Sequence, residues 1–313
     1  MVFKNVLWNV IINPGAFSGK SLQYWAKVKN VLRTYHVSFC EFDSPTIARC
    51  HEIVSQLVKN GEERIMVVGG DGTLNQVINA LLSAGSPINN IKLAVIPAGT
   101  GNDWARTHNI PNRPEKIMHM LTKGHFFEHD IGKITRKDVH TGNSYYFINM
   151  AGLGFDPEVI RRIQRTKQKR YASKLIYLKN LLMTLSAYKP VFCKLTFDDH
   201  SVETPLFTMA VGICKYNGNG MKQVPMAIPD NGLFDVVYIQ PLTVWEIMSK
   251  LPLLYSGKHI NYKKVHHVRT KTITIQPKGK LYAEIEGELL DEGTFELTCI
   301  EKKIKVLLPP PAG

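Results

Sequence analysis

The sequence predicts an α/β protein of two domains, an N-terminal parallel sheet covered by helices and then a β-rich sandwich. Three observations lead there. Short apolar runs alternate with helix-length segments through the first 130 residues, strand-like alternation then takes over, and a length of 313 residues exceeds one ordinary domain.

The apolar runs 6–12, 37–42, 64–68 and 92–96 read as strands, and the segments 21–35, 46–60 and 73–84 between them have helix length and helix spacing. This order gives a parallel sheet, whose ligands gather beyond the carboxyl ends of the strands. Further on, 144–149, 192–197, 206–213, 234–239, 268–275, 281–285 and 294–300 alternate as strands, with helical patterns at 157–188 and 243–255. The domains are therefore placed at 1–132 and 133–302, and the last apolar run, 304–308, is expected to carry 303–313 back to the first domain.

Hydrophobic residues at 44% and charged residues at 21% exclude a disordered chain, a collagen-like repeat or a coiled-coil rod. The unusual quantity is a formal net charge of +13. It is regional: residues 159–197 hold ten Lys/Arg and no acid, residues 247–283 hold eight and no acid, and the remainder stands at −5. Such windows fit a polyanion or an anionic surface, or else a plain solvated face. The five cysteines, Cys40, Cys50, Cys193, Cys214 and Cys299, contain no CxxC pair, which argues against a disulfide framework and a zinc site and favours a reducing compartment. No signal-peptide pattern and no apolar stretch of membrane-spanning length is present, so a cytoplasmic protein is expected, able to touch a membrane without crossing it.

Three turns carry the chemistry. The run 64–68 ends in Gly69-Gly70-Asp71-Gly72-Thr73-Leu74-Asn75, where glycines let backbone N–H groups approach an anion and the next helix adds its dipole. Asp71 is the informative residue. A carboxylate beside a phosphate is repelled unless a cation bridges the two or the carboxylate takes a proton from a reacting hydroxyl; a helix N-cap is the structural alternative. A second turn, Pro97-Ala98-Gly99-Thr100-Gly101-Asn102-Asp103-Trp104-Ala105-Arg106, follows the same plan, with a helix cap again the alternative for Asp103. The first, Asn13-Pro14-Gly15-Ala16-Phe17-Ser18-Gly19-Lys20-Ser21, is one residue short of the G-x-x-x-x-G-K-[ST] spacing and is taken as a third nucleotide-side turn rather than a P-loop.

In this order, together with Asn149-Met150-Ala151-Gly152-Leu153-Gly154-Phe155-Asp156, Gly218-Asn219-Gly220-Met221, Asp230-Asn231-Gly232-Leu233 and Glu286-Gly287-Glu288, the motifs span nearly the whole chain. The sequence resembles the diacylglycerol kinase catalytic-domain family of lipid kinases, which includes sphingosine and ceramide kinases and is distantly similar to NAD kinases. The resemblance implies an N-terminal α/β domain of the NAD-kinase/phosphofructokinase-like kind, a C-terminal β-sandwich, and a nucleotide in the cleft between them. It implies ATP and Mg²⁺ as cosubstrates and a lipid hydroxyl as acceptor. Asn13, Pro14, Gly69, Gly70, Gly72, Thr73, Gly99, Thr100, Gly101, Asn102 and Asp103 would line the nucleotide, and Asp71 would act on the metal or the phosphates. Glu286, with Glu288 beside it, stands at the position of the base.

Three residues depart from the family pattern. Glu286 replaces the usual Asp, Gln76 a common Glu, and Asn231 the Asp associated with a structural magnesium in some bacterial members; a neutral amide oxygen is the weaker Mg²⁺ ligand. The expected partner is a lipid substrate at an anionic membrane surface, where each Lys or Arg adds about 1 kcal/mol of attraction, and an interfacial helix is read over 157–188. Nucleic acid is not expected, because the basic windows contain no reader motif; a homodimer is compatible with the sequence. The rival readings are phosphorylation of a soluble substrate such as NAD, and a non-catalytic membrane-binding protein with a degraded site.

Overall fold

The computed structural model describes residues 6–19, 21–85, 88–139, 144–165, 183–185 and 187–311. The chain opens with β1 (Leu7–Ile12), α1 (Ser21–Thr34), β2 (Ser38–Asp43), α2 (Ile47–Lys59), β3 (Arg64–Gly69), α3 (Asp71–Ser83) and β4 (Lys92–Pro97). The four strands are parallel, in the order β2-β1-β3-β4. Helices on both faces bury β1, β3 and β4 almost completely, which is why they read as continuous apolar runs. The helix faces match: Cys50, Ile53, Val54 and Leu57 of α2 are buried at helical spacing, and Thr46 Oγ1 caps that helix by accepting Arg49 N–H at 3.2 Å. Because β2 lies on one side of β1 and β3 on the other, the connections diverge between β1 and β3 and leave a crevice beyond the strand ends.

The chain continues through α4 (Asp103–Thr107), α5 (Pro114–Lys123), β5 (His125–Arg136), β6 (Ser144–Phe147), β7 (Met150–Gly154) and α6 (Phe155–Arg165). It then forms β8 (Val191–Thr196), β9 (Ser201–Leu206), β10 (Thr208–Gly212), β11 (Phe234–Ile239) and α7 (Val244–Ser256). Last come β12 (Val265–Thr270), β13 (Thr272–Pro277), β14 (Ala283–Ile285), β15 (Glu288–Leu290) and β16 (Phe295–Leu308). Among the described residues, β12-β11-β10-β7-β14-β15 form one antiparallel sheet. It faces the strands around β16, and the ring of Phe147 on β6 stacks on that of Phe234 on β11 at 5.7 Å. The second half is thus an antiparallel β-sandwich.

Strand β16 joins the two halves. One edge runs antiparallel to β5, from Phe295 opposite Arg136 to Leu308 opposite His125. The other edge pairs with β13 over Thr298–Phe295 and then, in parallel, with β4 at Lys305 and Val306. The final apolar run therefore lies beside the N-terminal sheet, and the 132/133 boundary falls inside β5.

Two expected strands are each two strands in different sheets. The run 206–213 divides at Phe207 into β9 and β10, and the run 268–275 divides at Lys271 into β12 and β13. A turned corner keeps the alternation of side chains while changing the sheet they face. Of the interfacial helix read over 157–188, α6 covers the start, and residues 166–182 lie outside the described residues.

The packing of β5 on β6 is tight at Gly132. A Cβ there would stand 2.2 Å from the Phe147 ring, so Gly132→Ala is expected to destabilise the protein by about 1–3 kcal/mol through overpacking. Denaturant unfolding reads the loss, and the double variant Gly132→Ala/Phe147→Leu should recover part of it.

Candidate functional site

Three turns meet beyond the carboxyl ends of β1, β3 and β4. Asn13 Nδ2 donates to Thr73 Oγ1 at 3.1 Å across the crevice, while Asn13 Oδ1 accepts Gly15 N–H at 3.0 Å. The carbonyl of Pro14 accepts Ser21 Oγ–H at 3.2 Å; Lys20 lies outside the described residues. The turns at 69–75 and 97–106 touch backbone to backbone: a Cβ on Gly99 would stand 2.4 Å from Gly70 Cα, an approach that only glycine permits. Gly69 is closed over by Thr73, whose Cβ would lie 2.5 Å from any added Cβ, whereas Gly72 faces open space.

Asn102 closes its own turn, with Oδ1 accepting Gly99 N–H and Nδ2 donating to Gly99 O, both at 2.9 Å. Thr100 is exposed and Gly101 half-buried at the tip of that turn. Gly70 is the N-cap of α3 and has no side chain to cap it, so the first N–H groups of the helix and its dipole are available to an anion. A groove of about 980 Å³ leads away from Thr100, Gly101 and Asn102 along α4 and α5, with Arg106, Arg113 and Lys116 on its walls.

The acidic residues do something spacing does not reveal. Asp71 Oδ2 accepts Asp103 N–H and Oδ1 accepts Trp104 N–H, both at 3.0 Å, so Asp71 caps α4 rather than its own helix. Burial raises its carboxyl above the ordinary range against those two hydrogen bonds. Asp103 in turn accepts Asn219 N–H at 2.8 Å and Gly220 N–H at 2.7 Å. Its buried carboxylate thereby fastens the second-domain loop to the first domain, and it does not line the turn as a free group.

Glu286 enters from the sandwich. It leaves β14 at φ +50, and its Oε1 accepts Asn149 N–H at 2.9 Å and Met150 N–H at 3.3 Å. Burial, and next the neighbouring Asp71 carboxylate, push its carboxyl well above the usual value. The two domains therefore bring Asp71 and Glu286 together. Glu288 is not part of this group: it sits exposed at the start of β15, because the left-handed residue at 286 and the turn after it break the strand alternation. The acid that does belong is Glu284, which the sequence reading passed over. It is buried, accepts Gly287 N–H at 2.7 Å, and occupies room that only a glycine at 152 leaves, since a Cβ there would stand 2.7 Å from Glu284 Oε1. The readable signal was its position two residues before Glu286. Asp156, in the first turn of α6, completes the row; burial pushes its carboxyl up to about 6.

The Asn231 amide oxygen accepts Leu233 N–H at 3.0 Å and closes its own turn. Beside it, Asp130 accepts Gly232 N–H at 2.8 Å and Lys302 N–H at 2.7 Å.

Residues 8–134 match the family profile described as the diacylglycerol kinase catalytic domain, and residues 149–308 match the YegS C-terminal NAD kinase beta sandwich-like domain. A Staphylococcus saprophyticus protein named diacylglycerol kinase is 27% identical over 303 residues, which cover 96% of this chain and 94% of that one. Among solved structures, a diacylglycerol kinase from Bacillus anthracis superposes with a TM-score of 0.71 at 18% identity over 97% of both chains. Yeast NADH kinase complexed with NADH superposes with a TM-score of 0.51 at 10% identity, over 97% of this chain and 83% of that one. At these identities the two structures speak for the fold. The chain belongs to the diacylglycerol kinase catalytic-domain family of lipid kinases.

Glu284 makes the stability of the site pH-dependent. Burial first, and Asp156 among the weaker causes, push its carboxyl from 4.5 up to about 7. Between those values the unfolded chain has lost the proton that the folded one keeps, so stability falls as pH rises through the window. Glu284→Gln is expected to gain roughly 1–3 kcal/mol over the parent at pH 8, and the gain should fade towards pH 4 in parallel denaturation curves.

Proposed function

We propose that the protein transfers the γ-phosphoryl group of ATP to a hydroxyl of a membrane lipid, diacylglycerol-like or sphingoid. The observation that carries this reading is Glu286, a carboxylate with a raised pKa held across the cleft from the three glycine turns. A base must be unprotonated yet basic enough to take a hydroxyl proton, and desolvation beside Asp71 tunes a glutamate in that direction. Its Oε1 is fixed by two backbone donors, and Oε2 is assigned to the proton. The acceptor oxygen forms the new bond to phosphorus as its proton passes to Glu286, and the bond from phosphorus to the bridging oxygen of ADP breaks.

The uncapped start of α3 and the turns at 13–15 and 99–102 suit the phosphates. The hard carboxylate oxygens of Asp71 suit Mg²⁺, which when bound with ATP would offset phosphate charge. Asn231 does not fit a second, structural magnesium in the same way, because its neutral amide oxygen is a weaker ligand than a carboxylate.

A bilayer location is supported by α7, which has no buried residue. Val244, Trp245 (85% exposed), Met248 and Tyr255 face solvent on it, and Met226 and Ile228 are exposed just after the segment whose Lys222 N–H donates to Leu254 O near the helix end. The acid-free window that includes Lys250, Lys258 and Lys263 starts on the same helix, and exposed apolar side chains in a basic segment suit an anionic leaflet. Among the described residues no helix is long and apolar enough to cross a membrane.

Labelled ATP, Mg²⁺ and vesicles carrying neutral glycerolipids or sphingoid lipids should yield a phosphorylated lipid, with none formed from NAD. Turnover of NAD alone, or of nothing, overturns the reading. Glu286→Gln should lower kcat by about 10²–10⁴-fold with little change in the KM for ATP. In the parent, the acid limb of kcat/KM should lie above the ordinary 4.5 of a glutamate. Separately, Trp245→Ser should weaken co-sedimentation with anionic vesicles and leave turnover on detergent-dispersed lipid unchanged.

A further inference from the structure

Behind the cleft, three side chains far apart in sequence converge. His108 follows α4, His129 lies on β5 and Cys214 follows β10; all three are buried. The two Nε2 atoms are 3.1 Å apart, and Cys214 Sγ lies 3.7 Å from that of His108 and 3.6 Å from that of His129. Donors at tetrahedral angles around Zn²⁺, with its usual bond lengths, stand about 3.3 Å apart for two nitrogens and about 3.6 Å apart for nitrogen and sulfur. The three separations match that triangle.

The proton positions point the same way. His129 Nδ1 lies 2.6 Å from the carbonyl of Asp130, which places a hydrogen on Nδ1 and the lone pair on Nε2. An outward hydrogen bond of this kind is how metal-bound imidazoles are oriented. Trp104 Nε1–H also points at that Nε2, at 3.2 Å, so one lone pair faces both the indole hydrogen and the second imidazole. Hydrogen bonds alone leave the two imidazoles with one donor in excess or two lone pairs opposed; a cation held by both Nε2 lone pairs removes that opposition and requires the indole N–H to give up its bond to His129 Nε2.

We propose that His108, His129 and Cys214 form a site for a single borderline-soft divalent cation of the Zn²⁺ kind, with a water or hydroxyl oxygen in the fourth position. Binding forms one metal–sulfur and two metal–nitrogen bonds, and the Cys214 thiol releases its proton to solvent. The role is structural and does not depend on the kinase reading. The site ties the end of α4, whose start is held by Asp71, to β5 and to the segment that leads to Asn219 and Gly220. The absence of CxxC pairs does not bear on it, because folding, not spacing, gathers the donors.

Purified protein stripped with a chelator and titrated with Co²⁺ under reducing conditions provides the test. One equivalent should bind, with a thiolate-to-cobalt charge-transfer band in the near ultraviolet, tetrahedral d–d absorption and release of one proton. The band should vanish in Cys214→Ser and persist in Cys40→Ser, and Zn²⁺ should raise the Tm of the parent but not of Cys214→Ser. If Cys214→Ser fails to fold by circular dichroism, His108→Leu serves in its place and should lose the tetrahedral spectrum. No charge-transfer band in the parent, or an unchanged one in a folded Cys214→Ser or His108→Leu variant, overturns the proposal.

Discussion

The site depends on carboxylates that hold backbone in place. Asp71 receives the first N–H groups of α4, Asp103 on α4 receives two N–H groups of the 217–221 loop, and Glu286 receives those of Asn149 and Met150. Each link satisfies donors that would otherwise be buried without partners, and each passes position on to the next segment. The Asp103 link joins the two domains, and those of Asp71 and Glu286 brace the two sides that it joins. Burial outweighs these hydrogen bonds, which by themselves favour the charged form, so Asp71, Glu284 and Glu286 all hold their protons more tightly than free carboxyls.

Charge is sorted by depth. Asp71, Glu284 and Glu286 collect in the cleft, where burial raises their carboxyls, while Lys258, Lys263, Lys271, Lys278 and Lys280 of the 247–283 window are exposed. The net charge of +13 therefore describes the exterior and hides the character of the interior.

Much of this was legible in the sequence for identifiable reasons. The strands β1, β3 and β4 are buried on both faces and read as apolar runs, and the glycine turns stand out because backbones must touch at Gly70 and Gly99. Strand β5 was missed because its buried centre carries His129 and Asp130, polar residues satisfied by partners remote in sequence. The runs through Phe207 and Lys271 kept their period while changing sheets, so alternation alone could not divide them. Spacing also paired Glu286 with Glu288, whereas a left-handed residue at 286 turns the latter outward and leaves Glu284 as the neighbour that matters.

The ribbon of β5 and β16 has a mechanical meaning. It crosses from the sandwich to the parallel sheet as two hydrogen-bonded strands, interrupted by one irregularity between Ile300 and Ile304 where Lys302 takes φ +46. Two domains joined by a single linker can swing apart freely, but here any swing must bend a double-stranded beam and strain the Asp130 contact that pins Lys302. The cleft is thus a jaw of nearly fixed gape.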